Sequence, residues 1–258
     1  MSELTGKVAV ITGCASPQGI GYAVAGRFAS AGASLLLVDT GSSEPMRARC
    51  AELRARPGVD APIEPALFDL AESGAAEAMV ERALERFGRV DILVNNAGLR
   101  VNKRFGEYTR SDFERSVAVN VAAPLFASQA VLPAMRKQGG GRIIFTASQL
   151  GTVSAPTRAV YGLTKAALIH LTKSMALELA ADNIIVNAIS PGPVRTQPII
   201  DRDTADPAAA RERIRQYMPG GRYGEPDEIA DLALFLATTR ATYLQGENIV
   251  IDGGYTAH

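Results

Sequence analysis

In the stretch "AVYGLTKAALIHLTKSMALELA" (159–180), Tyr161 and Lys165 stand four positions apart, so on a helix both side chains leave one face. A free phenol titrates near about 10 and is too weak a base at neutral pH. An ammonium beside it stabilises the phenolate and brings its titration toward the working range, which makes the pair a candidate for proton transfer. The spacing also arises by chance on exposed helices. Ser148 ends the run "RIIFTAS", thirteen positions before Tyr161, at the carboxyl edge of a strand where open α/β sheets place ligands. Its hydroxyl there could hold a substrate oxygen next to the phenol. Asn120 interrupts the apolar run "SVAVNVAAP". Such an amide either satisfies backbone groups at a kink above Pro124 or holds a water in a proton path.

A second constellation lies in "VITGCASPQGIGYAVA" (10–25), an apolar run entering a helical pattern through glycines. Five residues separate Gly13 from Gly19, and Gly19-Ile20-Gly21 fits no G-x-G-x-x-G template. A strand feeding a helix through such a turn gathers free backbone N–H groups and the positive helix end at one point, a site suited to a pyrophosphate. Ser16-Pro17 can start a turn ahead of the helix. A plain strand-to-helix turn, needing glycine only for its positive φ, is the other reading. Asp39 closes the next run, "SLLLVD", about twenty residues beyond the glycines. A carboxylate there accepts both ribose hydroxyls of an adenosine and repels a 2′-phosphate. Neither Thr40-Gly41-Ser42-Ser43 nor Pro17-Gln18 supplies a cation, so the pattern favours NAD over NADP.

These groups need a scaffold, and the chain repeats one pattern. The runs "KVAVIT", "SLLLVD", "DILVNN", "RIIFTA", "IIVNAI" and "NIVID" are apolar through their centres, as strands covered on both faces should be. Helical stretches such as Tyr22–Ala31 and Ser73–Phe87 separate them, which predicts an α/β fold with a doubly wound, mostly parallel sheet. A further strand is expected in "PIEPALFD", pushed toward a loop or edge by Pro62 and Pro65. After Thr109 the spacing predicts a helix capped by Ser111 with Glu114 reaching back, and kinked at Pro124. The segment 191–223, rich in Pro, Gly, Arg and Asp, reads as an irregular functional lid. No linker or repeat divides the chain, so residues 1–258 are expected to form one domain.

Composition narrows the partners. Lysine plus arginine number 27 and aspartate plus glutamate 27, so no global field favours nucleic acid or an acidic membrane. The apolar runs are strand-length and interrupted, and "MSELTGK" carries no signal-peptide pattern. Two cysteines, Cys14 and Cys50, are too few for a disulfide framework or a zinc site. A reducing, cytoplasmic location is expected.

Taken in order, these features resemble the short-chain dehydrogenase/reductase family over essentially the whole chain. The motifs are "TGCASPQGIG", Asp69 after a strand, "NNAG" at 95–98, Asn120, Ser148, Tyr161-x-x-x-Lys165, "PGPVRT" at 191–196 and "DGGYTAH" at the end. The resemblance implies a three-layer Rossmann-type fold around a seven-stranded sheet, and usually a homotetramer. It implies Tyr161 as general acid/base, Ser148 orienting the reacting carbonyl or hydroxyl, and Lys165 lowering the Tyr161 pKa and holding the nicotinamide ribose. Asn120 would support a water linking Lys165 to solvent. Asp69 and Leu70 would lie along the adenine, Asn96, Ala97 and Gly98 would line the cofactor cleft, and Pro191, Gly192, Val194 and Thr196 would cover the nicotinamide. Gly13, Ser16, Gln18, Gly19, Ile20 and Gly21 would hold the pyrophosphate. The family usually places three residues between the first glycine and G-x-G; here two more lie in the phosphate loop, which leaves the parts of Cys14 and Ser16 open. Subunit contacts would fall on the helices of Asn120 and Tyr161 and on the C-terminus, with His258 near a neighbour.

The reaction implied is hydride transfer between nicotinamide and a secondary alcohol or ketone. NAD makes oxidation of a small sugar, polyol or hydroxy acid the favoured direction. Pocket positions are expected after Gly98 (Leu99, Arg100, Val101, Asn102), after Ser148 (Gln149, Leu150) and within 197–223. Arg100, Lys103, Arg104 and Arg158 either favour an anionic substrate or form solvated surface. An NADP-dependent 3-oxoacyl thioester reductase shares every motif, with Asp39 against it. A non-catalytic nucleotide sensor would be expected to have lost the tetrad, which is intact.

Overall fold

The computed structural model describes residues 2–257, so His258 lies outside the described residues. Seven strands form one sheet in the order β3-β2-β1-β4-β5-β6-β7, and every neighbouring pair is parallel. They are β1 (Val8–Thr12), β2 (Ser34–Asp39), β3 (Ile63–Leu67), β4 (Ile92–Asn95), β5 (Gly141–Thr146), β6 (Ile184–Pro191) and β7 (Asn248–Ile251). Helices α1 (Ile20–Ser30), α2 (Ser43–Arg54) and α9 (Pro226–Thr238) cover one face. Helices α3 (Ala75–Phe87), α5 (Ala123–Lys137) and α6 (Ala159–Leu179) cover the other.

Strand β2 shows why its run is apolar without alternation. Leu35 and Leu37 enter the core under α1 and α2, while Leu36 and Val38 enter the core under α3 and α5. Each such side chain contributes roughly 1.5–3 kcal/mol on full burial, so a polar residue on either face would be costly. Strand β3 takes Pro65 because it is the edge of the sheet, where a missing N–H donor breaks no further ladder.

The helix after Thr109 corrects two expectations. It starts with α4 (Arg110–Val117), and its cap is Thr109: Thr109 Oγ1 accepts from the Asp112 N–H at 3.1 Å, and Asp112 Oδ2 accepts from the Thr109 N–H at 2.8 Å. Ser111 and Glu114 are not the cap, because Lys103 Nζ holds the Asp112 carboxylate at 2.6 Å and fixes the box two residues earlier. At Pro124 the helix continues into α5 through a π turn at Ala118–Ala122. Pro124 has no N–H to give the Asn120 carbonyl, and the widened turn absorbs that loss without ending the helix. The continuous helix Arg110–Lys137 is 28 residues long and apolar enough to cross a membrane by length and composition, contrary to the strand-length runs read from sequence. Its residues Ala127, Val131 and Met135 pack into the core under the sheet.

The segment 191–223 is also more regular than expected. It carries α7 (Gln197–Ala205) and α8 (Pro207–Tyr217), which with Ile199, Met218 and Tyr223 form a small cluster apart from the two main cores. Only Ile199 on α7 and Ala210 on α8 are buried, so the segment shows little apolar periodicity.

Gly21 decides how tightly α1 seats on β1. A Cβ there would collide with the Gly13 carbonyl oxygen and come within 2.6 Å of Asn96 Nδ2. Gly21→Ala is therefore expected to destabilise the fold by about 1–3 kcal/mol, read as a lower thermal midpoint. Gly106→Ala, where a Cβ meets open space, should leave the midpoint unchanged.

Candidate active site

Beyond the carboxyl ends of the strands lies one cleft of about 1150 Å³, spanning the β1–β4 step where the strand order reverses. Of the residues singled out by sequence, it is lined by Gly13, Ser16, Gly19, Ile20, Asp39, Asp69, Leu70, Asn96, Ala97 and Gly98, by Ser148, Tyr161 and Lys165, and by Pro191, Gly192, Val194 and Thr196. Gln18, Gly21 and Asn120 do not line it. Gln18 lies exposed, Gly21 sits in the α1–β1 contact, and Asn120 is fully buried behind the wall.

The lengthened glycine turn takes a definite path. Cys14 turns inward, fully buried, with Sγ against the Ile11 carbonyl oxygen at 3.2 Å, and burial pushes its thiol pKa up. The thiol therefore takes no part in the cleft. The Ala15 N–H donates to Asp39 Oδ2 at 2.6 Å, tying the loop to the end of β2. The Gly19 N–H then donates to the Ser16 carbonyl at 2.9 Å, closing a turn that carries Pro17 and Gln18 outward. The two added residues thus bulge away from the cleft. The start of α1 has no side-chain cap and no acidic residue in its first turn, so its N–H groups and positive end stay available to an anion.

Asn96 is committed to the scaffold: its Nδ2 donates to the Thr12 carbonyl at 2.9 Å, and the N–H groups of Asn96 and Ala97 both donate to Thr12 Oγ1 at 2.9 Å. At the β2–β3 end, Asp69 accepts from the Ala71 N–H at 3.0 Å and from Arg115 Nη2 at 3.1 Å, which hold its carboxyl below the usual range. Arg115 and Thr12 have no signal in the local sequence pattern, because each meets its partner from far along the chain.

Tyr161 and Lys165 share the cleft side of α6, with Lys165 Nζ 5.7 Å from the centre of the Tyr161 ring. The ammonium donates to the Thr146 carbonyl at 2.7 Å, and burial lowers its pKa to about 8. The Tyr161 phenol is raised by burial, while the charges of Arg100 and Arg158 and the Ser148 hydroxyl pull it down. Lys165 thus stands beside the ring with its ammonium held on a backbone carbonyl, and Arg100 and Arg158 add their charges to the phenol. Ser148 Oγ accepts from the Leu150 N–H at 3.2 Å, leaving its own proton to donate.

Asn120 satisfies backbone groups, but those of the loop after β4 and not of its own helix. Its Oδ1 accepts from the Leu99 N–H at 2.7 Å, and its Nδ2 donates to the Leu99 carbonyl at 2.8 Å and to Thr164 Oγ1 at 3.0 Å. Thr164 Oγ1 donates in turn to the Tyr161 carbonyl at 2.8 Å. The π turn thereby fixes both the loop that carries Gly98 and the first turn of α6.

A nicotinamide fits beside Ser148 on one observation. Gln149 Oε1 is buried without a hydrogen-bond partner, beside Gly192, where an added Cβ would stand 3.0 Å away. An orphaned acceptor among the residues lining the cleft suits a ligand bearing an amide N–H.

Comparison with known proteins finds relatives along the whole chain. A family model described as enoyl-(acyl carrier protein) reductase matches residues 13–256. The chain is 39% identical over 250 residues to a 3α-hydroxysteroid dehydrogenase of Mediterraneibacter gnavus, covering 97% of each protein. A 3-oxoacyl-(acyl-carrier-protein) reductase from Agrobacterium tumefaciens C58 with NADP bound superposes with a TM-score of 0.91 and 33% identity, over 98% of this chain and 95% of that one. The L-sorbose reductase of Gluconobacter frateurii, complexed with NADPH and L-sorbose, superposes at 0.93 with 32% identity over 100% of both.

The buried ammonium has a measurable consequence. The unfolded chain holds the Lys165 proton up to about 10.4, whereas the folded chain releases it near 8, so folding gains stability as pH rises between those values. Lys165→Met removes this dependence. Its stability relative to the parent should fall by roughly 2–3 kcal/mol from pH 7 to pH 10 in urea unfolding.

Proposed function

The chain belongs to the short-chain dehydrogenase/reductase family, oxidoreductases acting on CH–OH groups, and from that premise we propose an NAD-dependent dehydrogenase that oxidises a small sugar, polyol or hydroxy acid. The observation that carries the reading is the convergence of Ser148, Tyr161 and the buried Lys165 on one wall of the cleft, with the orphaned Gln149 acceptor next to Ser148. The nicotinamide group, once bound, supplies the two-electron acceptor or donor. The chain supplies the proton chemistry. Ser148 donates to the substrate oxygen, and the Tyr161 phenolate removes the carbinol proton in oxidation or, as the phenol, returns it in reduction. Arg100 and Arg158 favour the phenolate, and Lys165 adds a cation beside the ring for the nicotinamide ribose. The uncapped α1 start, with Gly13, Ser16, Gly19 and Ile20, receives the pyrophosphate.

The preference for NAD rests on Asp39. Its oxygens accept the Ala15 and Thr40 N–H bonds at 2.6 and 2.8 Å, which hold a carboxylate where a 2′-phosphate would have to lie. The related reductases with NADP or NADPH bound mark the competing outcome. We also propose a cytoplasmic homotetramer. Exposed large apolar side chains on α5 (Phe126), α6 (Leu163 and Leu177), α9 (Phe235) and β7 (Val250) support that reading.

Tyr161→Phe should lower kcat by at least about a thousandfold and leave NADH binding within about twofold, measured by nicotinamide fluorescence. Undiminished turnover would overturn the role of Tyr161. On the parent protein, kcat/KM with NAD should exceed that with NADP by at least about tenfold, and Asp39→Ser should narrow the ratio. A parent that prefers NADP and reduces a 3-oxoacyl thioester would favour the acyl reductase reading instead.

A further inference from the structure

The end of the cleft nearest Tyr161 is strongly cationic, and the arginines that favour the phenolate have charge to offer a substrate as well. Four arginines line this end: Arg100 after β4, Arg158 just before α6, Arg202 on α7 and Arg213 on α8. The acidic residues lining the cleft, Asp39 and Asp69, both lie at the β2–β3 end. Arg202 and Arg213 share the Asp203 carboxylate, each at 2.8 Å, which leaves that trio with one net positive charge.

Arg100 and Arg158 have no such compensation. Among the described residues neither lies within 4 Å of a carboxylate. Arg158 spends only Nη1 locally, on Thr157 Oγ1 at 2.9 Å and the Thr157 carbonyl at 3.4 Å. Nearby surface cations are treated differently. Lys103 is held by Asp112 at 2.6 Å, and Arg222 by Glu228 at 2.7 Å. Arg104, exposed on the same loop as Arg100, stays outside the cleft. Burial, together with the charges of Arg100 and Arg202, lowers the pKa of Arg158, so its guanidinium is partly stripped of water among like charges. That arrangement is unfavourable until an anion enters. A guanidinium fork binds a carboxylate or phosphate through two parallel N–H···O bonds, which fixes orientation as well as charge.

We propose that Arg100 and Arg158 receive an oxyanion on the substrate, so that the carbinol presented to Tyr161 and Ser148 belongs to a small hydroxy acid or its phosphorylated counterpart and not to a neutral sugar or polyol. This rests on the dehydrogenase reading above and narrows it. The anion anchors one end of the molecule, the Ser148 hydroxyl holds the other, and the carbon bearing the hydroxyl lies between them. Charge-assisted pairing with the guanidinium forks also favours the anion over its neutral analogue, which forgoes those bonds.

The test uses the intact protein saturated with NADH, so that phosphate cannot occupy the pyrophosphate site. Acetate and inorganic phosphate are titrated at constant ionic strength, with nicotinamide fluorescence and the thermal midpoint as readouts, on the parent and on Arg100→Gln, Arg158→Gln and Arg104→Gln. Binding should weaken at least tenfold in Arg100→Gln and Arg158→Gln and stay as in the parent in Arg104→Gln. Stronger binding of phosphate than acetate would identify a phosphorylated substrate, and the reverse a carboxylic acid. Kinetics provide the second arm. The ratio of kcat/KM for 3-hydroxybutyrate to that for its methyl ester should exceed ten in the parent and fall at least tenfold in both cleft variants. Equal binding of the two anions by parent and cleft variants, or turnover of sugars and polyols alone, overturns the proposal while leaving the dehydrogenase standing. Arginine-dependent anion binding with no turnover of any alcohol or ketone overturns the dehydrogenase and leaves the anion site.

Discussion

The cleft depends on how closely α1 and the loop after β4 press against the end of β1. Thr12 Oγ1 receives two backbone N–H groups from that loop, Asn96 clamps back onto the Thr12 carbonyl, and Gly21 lets the helix come down onto the same spot. Three segments meet there without room for a methyl group. The meeting point is also where the strand order reverses, so the closest packing in this region defines the floor on which a dinucleotide would lie. Positive helix end, orphaned acceptor and titratable groups are held in fixed relation because the backbone beneath them cannot shift independently.

Electrostatics then divide the cleft into two ends. Asp39 and Asp69, the latter paired with Arg115, hold the β2–β3 end, and Arg100, Arg158, Arg202 and Arg213 hold the end near Tyr161. Lys165 stands at this boundary in an unfavourable state, a buried cation whose direct partner is a single backbone carbonyl. The surrounding apolar core supports it, and the fold keeps a titratable group poised near physiological pH at a cost in stability.

Much of this was legible in the sequence, and the reasons are physical. Six of the seven strands are readable as continuous apolar runs, as in β2 and β5, while edge strand β3, with Glu64 and Pro65, gives a weaker signal. Tyr161 and Lys165 are readable because one helix fixes their relation, and Ser148 because a strand end fixes its edge. Contacts made across the fold were not readable. Arg115 meets Asp69 from 46 residues away, and the carbonyl that binds Lys165 carries no side-chain signature. The helix cap lies at Thr109 because Thr109-x-x-Asp112 competes with Ser111-x-x-Glu114 as a box, and Lys103 also binds the Asp112 carboxylate. Helices α7 and α8 were hidden because a helix resting on one or two buried residues leaves almost no apolar period to detect.

That thin anchorage of α7 and α8 has a bearing on how the protein changes over evolutionary time. Ile199, Met218 and Tyr223 form a cluster of their own, so the packing of these two helices is set apart from both main cores. Substitutions along 197–217 draw on this small local reserve and leave the stability of the scaffold nearly untouched. A lineage can therefore explore new substrates by rewriting these helices while the nucleotide floor and the proton-transfer wall stay as they are.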